Sequence, residues 1–77
     1  MDTDDIKIDI DIDLIRKQLL SLRESKHLSQ KELSERSGLS VSTISLLENS
    51  DNSPSLRSII KYLDALGGHL YISNIRE

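Results

Sequence analysis

The chain has 77 residues and a mass of 8.7 kDa, about half of an ordinary domain of ~150 residues, so we expect one domain with a small core. This length excludes large cofactor-binding enzyme architectures. The 13 Leu and 10 Ile suffice for a compact bundle but give a thin core for a stable monomer, which favours an oligomer. No cysteine is present and no apolar run exceeds three residues, so the sequence predicts a cytoplasmic protein without disulfides, thiolate zinc sites or membrane spans.

The net charge of -3 argues, as an average, against a polyanionic partner, but this charge is unevenly distributed. Residues 1–13 contain six Asp and one Lys, whereas residues 14–77 carry a net charge of +2. We therefore divide the chain into an acidic N-terminal strand or arm (1–13), a mildly basic helical domain (14–67) and a C-terminal strand (68–77).

Strict alternation of isoleucine with charged residues from Ile6 to Ile12 is typical of a half-buried strand. The segment after Gly67-Gly68 has high strand propensity. A two-stranded ribbon is marginal alone, so we expect these segments to pair in a dimer sheet. The residues assigned to it are Ile6, Ile8, Ile10, Ile12, Leu70 and Ile72. The alternative is that the acidic segment is a solubilising tail.

Between the two predicted strands, apolar residues recur every three or four positions, which is the spacing of a helix. Asp13 is a candidate cap for a helix that extends to about Lys26. The sequence Ser29-Gln30-Lys31-Glu32 has the form of a capping box and predicts a short helix to about Ser37. Gly38 is suited to end it, because glycine adopts the left-handed conformation at low cost.

A second short helix is predicted after Ser40, with Ile44 and Leu47 on its buried side. Turn-forming residues fill positions 49–54, and a final helix is expected from Ser55 to Gly67-Gly68. Its predicted apolar stripe consists of Leu56, Ile59, Ile60, Leu63 and Leu66. The fold class is therefore mainly α: a compact helical bundle with a helix-turn-helix, plus short terminal β-strands in a dimer sheet. A helix-turn-helix places its second helix in the major groove of DNA.

The segment SQKELSERSGLSVSTISLLENSDNSPSL resembles the helix-turn-helix family of Cro and phage repressors, also called the Xre family. The resemblance extends over about residues 13–67. The continuation LDALGGHLYI is similar to a subgroup that serves as antitoxins of bacterial toxin–antitoxin pairs. The resemblance to the Xre family implies a DNA-binding regulator that acts as a homodimer.

Carried over by position, the resemblance places Gln30 near a phosphate and pairs Arg23 with Glu48 as a structural ion pair. The residues expected at DNA are Ser29, Gln30, Lys31, Ser40, Val41, Ser42, Thr43, Ser45, Leu46 and Asn49. Serine and threonine hydroxyls bond several base edges or phosphate, and Val41 or Leu46 is suited to a thymine methyl. The alternatives are that the hydroxyls only cap the helix and that Val41 and Leu46 contact a protein.

We therefore predict a sequence-specific DNA-binding transcriptional regulator, a repressor that acts as a homodimer on a palindromic operator. The most specific version of this prediction is an autoregulating antitoxin, which has a cognate toxin as its partner. The alternative is a helix-turn-helix protein-interaction module that binds a partner protein with little DNA binding, a reading that Leu46 and Asp51 favour. No set of catalytic residues is recognisable, so neither an enzyme nor a cofactor is expected. A calcium loop starting at Asp9 fails at Leu14 and Leu20, and no metal site is predicted.

Overall fold

The fold was determined as a computed structural model, which describes the backbone of residues 3–49 and 55–70 and the side chains of residues 12–49 and 55–70. This part of the chain forms four helices and contains no strand. The helices are α1 (Thr3–Ser25), α2 (Gln30–Ser37), α3 (Val41–Asn49) and α4 (Leu56–Ala65). Helix α3 packs against α1 and α2, and α2 also packs against α4. The helical bundle predicted from the sequence is thus confirmed.

One apolar cluster holds the four helices together. Leu33, Ile44 and Tyr62 are fully buried at its centre, one from each of α2, α3 and α4. The other buried members are Leu19, Leu28, Leu39, Leu47, Ile59, Leu63 and Leu66. Helices α1, α3 and α4 contribute residues at spacings of three or four, whereas α2 contributes Leu33 alone, so burial of one side of each helix provides the core.

The start of α2 follows the predicted capping box. The Ser29 hydroxyl accepts a hydrogen bond from the Glu32 N–H at 3.0 Å, and the Glu32 carboxylate accepts one from the Ser29 N–H at 2.9 Å. At the other end, Gly38 has a φ of 79° and donates its N–H to the Ser34 carbonyl. Both ends of α2 are therefore fixed by local chemistry that the sequence predicts.

Helices α1 and α4 both end in a Schellman motif, in which two backbone N–H groups after the helix donate to carbonyls of its last turn. In α4, Gly67 has a φ of 72°, and the N–H of Gly68 donates to the Leu63 carbonyl at 2.8 Å. In α1, the corresponding left-handed position is held by His27 with a φ of 58°, and Leu28 donates to the Arg23 carbonyl at 3.4 Å. A non-glycine residue there bears a steric cost that glycine avoids.

The predicted strand over Ile6, Ile8, Ile10 and Ile12 is wrong, because these residues belong to α1. A strand needs a neighbour to satisfy its backbone groups, whereas a helix that already exists over residues 14–25 extends by one internal hydrogen bond per residue. Asp13, predicted as a cap, lies inside α1, where its carboxylate is 3.2 Å from the Lys17 ammonium and 3.5 Å from the Arg16 guanidinium.

The C-terminal part of the chain differs from the prediction in two described features, the buried face of α4 and the start of the predicted strand. Leu56 and Ile60, which were expected on the buried stripe of α4, are 60% and 42% exposed. The buried face is centred instead on Ile59, Tyr62 and Leu63. Of the predicted second strand, residues 68–70 are described without regular structure, and Ile72 lies outside the described residues.

Candidate nucleic-acid interface

Helices α2 and α3 are joined by a turn of three residues that is tied to α2. The Ser34 hydroxyl donates to the Leu39 carbonyl at 2.6 Å, and the Leu39 N–H donates to the Ser37 hydroxyl at 3.1 Å. The Leu39 side chain is buried in the core. These contacts fix the direction in which α3 leaves the turn, as a helix-turn-helix requires.

The two sides of α3 differ sharply in chemistry. Ile44, Leu47 and Glu48 are buried. On the opposite side, Ser42, Leu46 and Asn49 recur at spacings of four and three and are exposed to solvent. Because Glu48 is the only charged residue of α3 and is buried, the outer side presents no charged group of its own.

The Glu48 carboxylate is the centre of a hydrogen-bond network that joins all four helices. Arg23 of α1 donates from Nε to Oε2 at 2.7 Å and from Nη2 to Oε1 at 2.9 Å. Gln30 of α2 donates from Nε2 to Oε1 at 2.9 Å, and the Tyr62 hydroxyl of α4 lies 2.5 Å from Oε2. Since the Glu48 side chain is only 1% exposed, this network fixes α3 against its neighbours.

Two further contacts complete the network. The Arg23 Nη1 donates to the Leu28 carbonyl at 2.8 Å, and the Tyr62 hydroxyl is 2.9 Å from the Leu19 carbonyl oxygen. Among the described side chains, no buried nitrogen or oxygen lacks a hydrogen-bond partner. The buried ion pair is therefore compensated by hydrogen bonds on both of its members.

The ionisation of this network follows from its geometry. Burial disfavours the charged form of Glu48, but hydrogen bonds from Arg23, Tyr62 and Gln30 outweigh it, so the pKa of Glu48 lies below its ordinary value. The hydrogen bond to Glu48 raises the pKa of Arg23. Burial, together with the neighbouring carboxylate, raises the pKa of Tyr62. At neutral pH the network consists of a carboxylate, a guanidinium and a neutral phenol.

The residues expected near phosphate lie together at the start of α2, but their side chains are used differently. The Ser29 hydroxyl is occupied by the cap, and the Gln30 amide points its nitrogen at Glu48. Lys31 is exposed and forms no hydrogen bond or ion pair with the described residues. The sequence alone did not reveal that Gln30 helps to position α3.

The hydroxyls expected at base edges also fall into two groups. Ser40 caps α3, because its Oγ accepts from the Thr43 N–H at 3.0 Å and lies 2.9 Å from the Thr43 Oγ1. In contrast, the Ser42 and Ser45 hydroxyls have no hydrogen-bond partner within the described part of the chain. The Asn49 amide donates to the Ser45 carbonyl at 3.1 Å. Ser42 and Ser45 are thus the free hydroxyls of α3.

The exposed apolar groups of α3 are Val41 and Leu46, which are 42% and 57% exposed. Asp51, predicted in the loop after α3, lies outside the described residues. Sequence reasoning missed Tyr62, although its place between Ile59 and Leu66 on the helical stripe would have identified it as a buried tyrosine that needs a hydrogen-bond partner.

A comparison with protein families matches residues 19–72 to a helix-turn-helix family model. The chain belongs to the Cro and phage-repressor (Xre) type of helix-turn-helix proteins. This match supports a DNA-binding regulator and assigns no enzymatic activity. Neither the curated proteins nor the solved structures contain a significant match to the chain.

The described residues of the helix-turn-helix protein contain neither a membrane-spanning helix nor a metal-binding cluster. Within residues 3–49 and 55–70, no helix combines the length and the apolar character needed to cross a membrane. Among the described side chains, those of residues 12–49 and 55–70, no three His, Cys, Asp or Glu are grouped so that they could share a metal ion. The candidate site consists of the outer side of α3 and the start of α2, where Ser42, Leu46 and Lys31 are exposed.

Proposed function

We propose that this protein is a sequence-specific transcriptional repressor that binds a palindromic operator as a homodimer, with the outer side of α3 in the major groove. The observation that carries the proposal is the two-sided construction of α3 within a helix-turn-helix. Ile44, Leu47 and Glu48 anchor the helix in the core, while Ser42, Ser45 and Leu46 remain available to base edges.

The electrostatic contribution comes from outside α3. Lys31 at the start of α2 is exposed and unpaired among the described residues, and the N-terminal end of a helix attracts anions. In this proposal Lys31 contacts the DNA backbone and supplies affinity without sequence preference. The uncharged side of α3 then supplies sequence preference.

A titration with duplex DNA tests the proposal. The probes are DNA from upstream of the protein's own gene and a scrambled duplex of equal length, each at two salt concentrations, with binding followed by fluorescence anisotropy. We expect tighter binding to the upstream DNA and weaker binding to both at higher salt. Equal affinity for both duplexes at both salt concentrations would refute sequence-specific binding.

The proposed second copy docks on an exposed apolar patch that we call the α4 patch, consisting of Leu56, Ile60 and Leu70. These side chains are 60%, 42% and 44% exposed and line one groove with Leu63 and His69. A two-fold operator requires a two-fold dimer, and in this proposal the α4 patches of two copies face each other, with Asp64 at the same groove. The α4 patch replaces the predicted dimer strand of Ile6–Ile12.

Light scattering of two matched variants tests this interface. Ile60→Glu places a charge in the α4 patch, and we expect a monomer mass with an unchanged helical circular dichroism spectrum. Leu14→Glu is the control, because Leu14 is 53% exposed on α1, outside the patch. A full dimer mass for Ile60→Glu would exclude the α4 patch as the interface.

The antitoxin version of the proposal rests on the resemblance of the segment LDALGGHLYI to antitoxins, and it adds a cognate toxin as a partner. Co-expression with the product of the neighbouring gene tests it. We expect the neighbouring product to be toxic alone, harmless with this protein and co-purified with it. A neighbouring product without toxicity would refute the antitoxin role and leave the repressor role intact.

A further inference from the structure

The more exposed of the two exposed apolar side chains of α3 is that of Leu46, at 57%, against 42% for Val41. It lies at the middle of the outer side, one turn after Ser42 and one turn before Asn49. In the proposed binding mode this position faces the floor of the major groove. The surface that reads the bases is therefore centred on an isobutyl group rather than on a hydrogen-bonding group.

The side chains around Leu46 cannot read guanine in the usual way. Guanine is typically recognised by the paired donors of Arg or by Lys, and α3 contains neither. The one amide of α3, that of Asn49, donates to the Ser45 carbonyl. This bond leaves Asn49 one N–H and its Oδ1, neither of which replaces the paired donors that guanine requires. The Ser42 and Ser45 hydroxyls have no partner among the described residues, and a hydroxyl bonds donors and acceptors alike.

The major groove offers one apolar group to such a side chain, the C5 methyl of thymine. Packing Leu46 against the N7 and O6 of guanine would remove water from those acceptors without replacing its hydrogen bonds. Packing it against a methyl removes apolar area from water on both partners. Of the four bases, thymine is thus the one that Leu46 fits.

We infer that Leu46 is a specificity-determining residue, which selects thymine at one fixed position of each half-site through its C5 methyl. This inference rests on the proposed function and deepens it, because it names the base and the chemical group that α3 reads. Ser42 and Ser45 adjust to the neighbouring bases and contribute less selectivity.

Selection from a random duplex library identifies the preferred DNA, and each of its thymines is then replaced in turn by deoxyuridine, which lacks only the methyl. We expect one symmetric pair of positions at which the replacement weakens binding about fourfold per methyl removed, the value of one methylene-sized apolar contact. In Leu46→Ala this penalty should disappear. In Leu14→Ala, a control of equal size and similar exposure on α1, the penalty should remain.

The outcomes separate this inference from the proposed function. A selected duplex that tolerates deoxyuridine everywhere, or a penalty that persists in Leu46→Ala, would overturn the role of Leu46 while sequence-specific binding stands. Unchanged DNA affinity of Leu46→Ala on the thymine duplex would likewise overturn it. If no duplex is enriched from the library, the proposed function and the inference both fail.

Discussion

Loss of the guanidinium at position 23 is expected to destabilise the protein strongly, because it leaves the Glu48 carboxylate without its cation. The Glu48 side chain is 1% exposed and keeps only the Gln30 and Tyr62 donors in the Arg23→Met variant. Methionine preserves much of the volume of arginine, so the change removes charge and hydrogen bonds rather than creating a large cavity. Breaking a buried ion pair from one side costs about 3–5 kcal/mol.

This cost is large for a chain of 77 residues. A domain of this length has a free energy of unfolding of roughly 4–12 kcal/mol, and each kcal/mol shifts its melting temperature by about 4–8 °C. We therefore expect Arg23→Met to melt at least ~12 °C below the wild type. The assay is thermal and urea unfolding at pH 7, followed by circular dichroism at 222 nm.

A double variant separates the ion pair from the rest of the network. Arg23→Met combined with Glu48→Leu removes both charges, and we expect it to be more stable than Arg23→Met alone. The Tyr62 hydroxyl still has the Leu19 carbonyl as an acceptor in that variant. An Arg23→Met variant within about 1 kcal/mol of the wild type would refute burial of the pair, since that is the range of surface pairs.

The pH dependence gives an independent check. The pKa of Glu48 is depressed below its ordinary value of 4.5 in the folded protein, so its stabilising contribution is fully present above pH 4.5 and is lost as the pH falls through the folded-state pKa. Protonated Glu48 no longer requires the cation. The difference in unfolding free energy between wild type and Arg23→Met should consequently narrow below pH 4.5, and a constant difference down to pH 2 would contradict this assignment.

Three further substitutions, followed by thermal melts, test the local geometry. His27→Gly should stabilise the protein by up to about 1 kcal/mol, because glycine relieves the φ of 58° at the end of α1, and a lower melting temperature would contradict this. Ser29→Ala should cost about 1 kcal/mol by removing the α2 cap, and an unchanged melt would contradict the capping role. Gly38→Ala should cost about 1 kcal/mol through its φ of 79°, since a Cβ there meets no atom within 4 Å, and an unchanged melt would show that the turn relaxes.

The sequence predicts well those features that depend only on residues within one helical turn of each other. The capping box at Ser29 and the left-handed Gly38 depend on residues at most four positions apart, so their identities suffice. The inner side of α3 also follows from its pattern, because Ile44 and Leu47 share one face. The end of α1 is also predicted to within one residue, at about Lys26 against Ser25 in the structure, but the left-handed conformation of His27 is not predicted because its residue type does not favour it.

The failures have long-range causes. Alternation over Ile6–Ile12 favours a strand, but whether a strand forms depends on a partner, and in the described chain these residues extend α1 instead. The hydrogen bond from Gln30 to Glu48, which is 18 positions away, is likewise not visible in the sequence pattern. Tyr62, 14 positions beyond Glu48, was missed for the same reason. Such contacts depend on how helices pack, which local patterns do not determine.

The placement of charge explains how an acidic protein can meet DNA in the proposed way. The only charged side chain of α3 is neutralised in the core by Arg23, so the base-reading surface neither attracts nor repels phosphate. In the proposed function, Lys31 at the start of α2 attracts the DNA phosphates, and Leu46 provides the base preference. In this proposal, affinity and sequence preference are thereby carried by different helices. Changing Lys31 should lower the salt dependence on every duplex, whereas changing Leu46 should alter base preference and leave the salt dependence unchanged.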